Sequence, residues 1–284
     1  DSETNFIDGG GVGSVVTISS SSDSATLEGF TILNGQSSYG GGIFIDDSST
    51  VLLSDLVIKS NISEGQGGGV YISTSDVELY DVTIGNNHAM GDGGGLYIYS
   101  NSNVDFSECI ITENTCDDDG GGLKIHNTCS VMFSNSELTA NTSADKGGAI
   151  VANNYSDLTF DSSLIADNNA LYGAAFRLRT GTILNLSNSL VFRNIAEMSG
   201  NVVYAVTSCS LNVSNSTITG NEIVTADSWH GNIFLADSYF VQVDNSIIWN
   251  ENTYLEFQHD NSGTLDIEYS CILGGWEGEG NIDA

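Results

Sequence analysis

Six permanent cations, Lys59, Lys124, Lys146, Arg177, Arg179 and Arg193, stand against 37 Asp and Glu in this 284-residue chain, so basic chemistry has few candidates. Lys124 and His126 alternate with apolar residues in LKIH, and Arg177 and Arg179 do the same in FRLR. That alternation points both members of each pair to the outer side of a strand, as a small basic spot that serves as a general base or stays solvated surface. Carboxylates gather just ahead of glycine runs: Asp92, the trio Asp117, Asp118 and Asp119, and Asp145. Such oxygens hold Ca²⁺ when several converge, or repel one another in a solvated turn; no GGxGxD repeat accompanies them. Phe44, Tyr71 and Tyr97, with Tyr99 beside them, recur at one position of successive glycine-led segments. A strip of that kind stacks against sugar rings or stabilises its own sheet. His88, His126, His230 and His259 share no spacing with a Ser or Cys nucleophile, which leaves them structural. The five cysteines form no CxxC pair and read as small buried hydrophobes.

A formal charge of −31 excludes nucleic acid and anionic lipid as partners, because phosphate binding needs clustered cations. No apolar run is long enough to cross a bilayer. With no proline and 33 glycines, and only 15 % of residues charged, the chain suits one continuous body of sheets with a Ser, Thr, Asn and Gly surface. One domain over residues 1–284 is expected. Opening at Asp1 without an initiator Met or signal peptide, it is expected to be a processed product or a segment of a larger secreted protein.

What must position these side chains is a repeat. The block VLLSDLVIKSN, ending at Asn61, recurs six times to end at Asn87, Asn114, Asn141, Asn168, Asn194 and Asn221, in steps of 26 or 27 residues. Weaker copies lie around Leu27, from Val241 and from Leu265, giving about ten coils. Between the blocks, GGGIFI, GGGVYI, GGGLYI, GGGLKI, GGAIVA and GAAFRL alternate in the period of a strand with one buried face. Each repeat therefore holds about three short strands, and a unit so small buries its apolar face only by stacking on its neighbours.

Stacking makes Val51, Val77, Val104, Val131, Leu158, Leu184 and Leu211 one interior ladder, and Ile58, Ile84, Ile111, Leu138, Ile165, Val191 and Ile218 another, at about 4.8 Å per coil. The recurring Asn is expected at a corner in a left-handed conformation, its amide shared with the Asn one coil away. Ser136, Ser163, Ser189 and Ser216 would form a hydroxyl ladder beside the core.

These segments resemble right-handed parallel β-helix proteins of the pectate-lyase-like superfamily. The similarity is to the branch with GG[AILV] and FxxN repeats, as in chlamydial polymorphic outer membrane proteins and related secreted bacterial adhesins. GGGI, GGGV, GGGL and GGAI match the first motif; the second is matched in its Asn, with Ile, Leu or Val where that family has Phe. The resemblance implies an all-β, right-handed parallel β-helix with three short parallel sheets. It also implies an extracellular or cell-surface setting, and it allows stalks, adhesins, lyases and hydrolases alike. Lyases of this fold use an Arg or Lys base beside Ca²⁺-holding carboxylates, for which Lys124, His126, Arg177 and Arg179 are the candidates; Val151 and Asn153 fill the coil between them. The NTD and GHG motifs of inverting polygalacturonase-type enzymes are missing. The expected function is therefore a non-enzymatic structural or adhesive β-helix, a rigid stalk, adhesin segment or filament subunit that touches carbohydrate or a host-cell ligand and requires no cofactor. A polysaccharide lyase or glycoside hydrolase is the alternative. Six NxS/T sequons occur, at Asn61, Asn141, Asn154, Asn185, Asn212 and Asn215, the first two already assigned to the ladder. Neither end shows a capping helix, so head-to-tail association of copies competes with trimmed flanking domains.

Overall fold

A computed structural model describes the chain except residues 1, 3, 21–23, 49, 226–230, 252–254 and 283–284. The described residues form short parallel strands wound into a solenoid of three sheets. The ten-stranded sheet collects the glycine-led strands, such as Val70–Ser73, Leu96–Tyr99 and Leu123–His126. Its ten rungs enclose about nine turns. An eight-stranded sheet holds the short strands that follow each Asn, such as His88–Ala89 and Thr115–Cys116. The third sheet has 18 strands because most coils cross it in two pieces, as in Asn103–Ser107 and Ile110–Thr112. The break between those two is Glu108, whose φ of 57° turns the chain.

The registers are those that the repeat implies. Val51 pairs with Val77, Val77 with Val104, and so on to Leu211; Ile58, Ile84 and Ile111 head the second ladder. Both ladders are fully buried, each side chain contributing about 1.5–3 kcal/mol relative to an exposed one. A third interior column stacks Phe106 on Phe133 at 4.3 Å and Phe133 on Phe160 at 4.6 Å between ring centroids.

At the Asn corner the left-handed residue is the one before the Asn, not the Asn itself: Ser60, Asn86, Glu113, Ala140, Asp167 and Arg193 have φ of 52–57°. The turn frees the Asn to point inward, where its amide meets a full set of partners. Asn114 Nδ2 donates to Asn141 Oδ1 at 3.0 Å and to the Ile84 carbonyl at 2.9 Å, while Asn141 Oδ1 also accepts from the Asn114 backbone N–H at 3.1 Å. The pattern repeats from Asn61 to Asn221 and goes one coil further, to Asn250.

The serine ladder exists but is not hydroxyl to hydroxyl. Ser136 N–H donates to Ser163 Oγ, Ser163 N–H to Ser189 Oγ and Ser189 N–H to Ser216 Oγ, while each hydroxyl donates to the carbonyl two residues back. A backbone donor has a fixed direction, so it takes the acceptor site and leaves the hydroxyl proton for its own turn. At the glycine corner only a residue without a side chain fits: Gly93 has φ of 70°, and a Cβ there would lie 2.3 Å from the Leu96 carbonyl oxygen.

Candidate functional site

The outer face of the ten-stranded sheet joins two groups that the sequence presents separately. Phe44, Tyr71, Tyr97, Lys124, Val151, Arg177, Tyr204 and Phe234 are consecutive register partners, so the aromatic strip and the basic spot are one column. The adjoining column carries Tyr99, His126, Asn153 and Arg179. Phe44 and Tyr71 stack at 5.3 Å and 4°, and Tyr71 and Tyr97 at 5.6 Å and 0°. The rings turn their faces to one another and leave their edges outward, whereas a sugar needs a free face. Tyr99 continues onto His126, 5.9 Å away.

Lys124 and Arg177 are not solvated surface. Both lie on the outer side of their strands, as the alternation requires, yet they are only 5 % and 8 % exposed, with Tyr97 at 5 % and Val151 at 1 %. Turns from the glycine corner supply partners at this face. Lys124 Nζ lies 2.6 Å from Asp119 Oδ2 and 3.6 Å from Asp92 Oδ1. Arg177 Nη1 donates to the carbonyls of Leu178 and Tyr204, and its guanidinium sits 4.6 Å over the Tyr204 ring. Burial draws the Arg177 pKa below the ordinary arginine value, with the nearby Tyr204 opposing the shift. Arg179 alone of the four remains exposed; His126 is half-buried, its pKa lowered by burial and by Lys124, and its Nε2 meets Asn154 Nδ2 at 3.2 Å.

Of the five turn acids, Asp92, Asp118 and Asp119 bring carboxylate oxygens within 4.8 Å of one another. Asp117 faces His88 instead, at 3.8 Å, and Asp145 pairs with Lys146. Burial pushes the Asp92 carboxyl above the usual range and Lys124 pulls it back. The Lys124 ammonium thus already supplies the cation that such a group attracts.

Other candidates fall in separate places. His259 Nδ1 is 2.8 Å from the Tyr239 hydroxyl, and His230 lies outside the described residues. Asn61 and Asn141 are wholly buried; Asn154, Asn185 and Asn212 are half-buried in side-chain hydrogen bonds, and Asn215 is exposed. The cysteines are free thiols, four of them buried. Cys109 stands in the serine ladder, taking the position before Ser136, and Cys129 precedes Ser156 in a second such ladder. Along the serine ladder, an open groove of about 600 Å³ follows the bend of the long sheet, lined among others by Asn135, Glu137, Leu164, Asn188, Leu190 and the sequon residue Asn215.

Glu256, buried, accepts from Asn250 and Asn232 at the end of the Asn ladder and has no signal in the repeat, whereas Tyr204, one 27-residue step after Arg177, extends the outer column together with Phe234.

Residues 14–115 and, again, residues 41–218 match a family model described as a right handed beta helix region, which together span well over half of the chain. The chain belongs to the right-handed β-helix family. No curated protein and no solved structure matches it. In this β-helix the strand–turn–strand crossings take the right-handed sense that parallel strands favour. Membership settles the architecture and leaves the chemistry to the side chains on it. Among the described residues, no helix is long and apolar enough to cross a membrane.

Proposed function

We propose that this β-helix is a non-enzymatic extracellular or cell-surface element, a rigid stalk or adhesin segment, with carbohydrate contact confined to open faces. The observation that supports it most is the outer column from Tyr97 to Arg177. A lyase needs a base that reaches solvent-borne substrate, and here Lys124 is held by Asp119 and Asp92 while Arg177 is folded onto Tyr204. Beside this closed column, the polar ladders run without interruption from Asn61 to Glu256, which favours stiffness over a mobile cleft. The groove along the long sheet offers amides, hydroxyls, the side chains of Leu164 and Leu190 and one carboxylate, Glu137, a lining that suits a neutral glycan and not a polyanion, given the net charge of −31. Antibodies raised against the chain should label intact source cells or recover the protein from the medium; strict confinement to the cytoplasm would overturn the reading. A glycan array should favour neutral over acidic glycans, and Asn188→Asp should weaken whatever binds.

A further inference from the structure

The Lys124 ammonium touches one carboxylate and neighbours a second inside a largely closed pocket. Its Nζ is 2.6 Å from Asp119 Oδ2, with the lysine side chain 6 % and the aspartate side chain 19 % exposed. The other oxygen, Asp119 Oδ1, is buried without a hydrogen-bond partner among the described residues, Lys146 Nζ standing 3.9 Å away. Asp92 is fixed beside both: its Oδ1 accepts the Asp119 backbone N–H at 3.3 Å and lies 3.6 Å from Lys124 Nζ. An amine, a carboxyl and a second carboxyl are thereby held together by the stacking of two adjacent coils.

We propose that Lys124 and Asp119 condense into an intramolecular amide, with Asp92 carrying the protons. The ammonium first gives a proton to the Asp119 carboxylate across their 2.6 Å contact, leaving a neutral amine and a carboxylic acid. The Nζ lone pair attacks Asp119 Cγ, and the N–C bond forms. Asp92 takes a proton from the nitrogen and delivers one to the departing hydroxyl; the C–O bond breaks and water leaves. Ammonium plus carboxylate become amide plus water, so atoms and charge balance with no outside reagent. Positioning replaces the activation that a bimolecular condensation needs, and a pocket that limits water disfavours hydrolysis. The product ties the Gly120–Gly122 turn to the strand Leu123–His126, locking one corner of the solenoid. It also accounts for a lysine buried in a surface column whose other members are mostly aromatic.

Intact mass of the full chain under denaturing conditions tests this. The expected mass is the sequence mass less one water, with trypsin unable to cut after Lys124 and the loss carried on the peptide containing Asp119. Lys124→Arg and Asp92→Asn should regain the full mass while circular dichroism stays unchanged. Full mass in the unaltered protein would overturn the proposal. So would a lost water with Lys124 still cleavable and the loss removed by hydroxylamine, since that is a succinimide at Asp119–Gly120. Water loss that persists in Asp92→Asn would remove Asp92 from the step.

Discussion

Asn250 gives its backbone N–H to one oxygen of Glu256 at 2.7 Å and its side-chain amide to the other at 2.9 Å. The bond pair explains how the Asn ladder ends. Every Asn of the row accepts at its side-chain oxygen from the Asn or backbone of the preceding coil and donates its backbone N–H and one amide N–H to the oxygen on the following coil, so the row has a direction. A directed row must begin on a donor and finish on an acceptor. It begins on the backbone N–H of Gly35, which donates to Asn61 Oδ1 at 2.9 Å, and finishes on a carboxylate, which has only lone pairs to offer.

Glu256→Ala should therefore destabilise by about 1–3 kcal/mol, because the Asn250 and Asn232 donors lose their buried acceptor. Burial is the largest influence on Glu256 and raises its pKa above the ordinary 4.5, the hydrogen bonds opposing. The folded chain thus holds this proton more tightly than the unfolded one. The site's contribution is complete below the unfolded value and declines as pH rises through the folded value. Glu256→Gln, which cannot ionise, should lack that decline when urea unfolding is followed between acid and neutral pH; identical slopes would contradict the assignment.

Position along the ladder sets the penalty of breaking it. Asn141→Ala strips the acceptor from both the backbone and side-chain N–H of Asn114, whereas Asn61→Ala leaves only the Gly35 N–H without one. The inner change should lower stability by about 1–3 kcal/mol and the outer one by less. Equal, negligible shifts in Tm would argue against a shared amide row.

Much of this was readable in the repeat because like residues at a fixed step must superpose: the Val and Ile ladders, the Asn row, and the Lys124–Val151–Arg177 register all follow from counting. What counting could not show is what turns do. Whether Asp92 and Asp119 reach the Lys124 ammonium depends on the path of the chain ahead of each glycine run, and that path closes a column that alternation alone leaves open. Glu256 escaped for a related reason. Its coil departs from the step, Asn250 following Asn221 by 29 residues, and a carboxylate at the end of an amide row has no repeat to announce it.

Thiol reactivity follows from the serine-like placement of the cysteines. Burial pushes the Cys109 thiol up to about 11 and Cys116 up to about 12, so little thiolate exists at neutral pH. Native protein should leave both unmodified by iodoacetamide at pH 8, as read by peptide mass, while denatured protein reacts at all five cysteines. Cys109→Ser should fold normally, because a hydroxyl there can repeat the bonds of Ser136.

Tyr71 lies between Phe44 and Tyr97 in the outer column. Tyr71→Leu retains most apolar area but removes two stacked contacts, an expected loss of about 1–2 kcal/mol in urea unfolding. Glycan binding should be unaffected. Lost binding with unchanged stability would mean that the ring faces serve a ligand and not the sheet.

The claim that the outer column is closed to catalysis is tested most directly by turnover. Acidic and neutral plant and algal polysaccharides would be incubated with the chain, with and without Ca²⁺, while unsaturated and reducing ends are followed. No turnover above a heat-treated control is expected, and Arg177→Ala should change stability alone. Efficient turnover that disappears in Arg177→Ala would contradict the account.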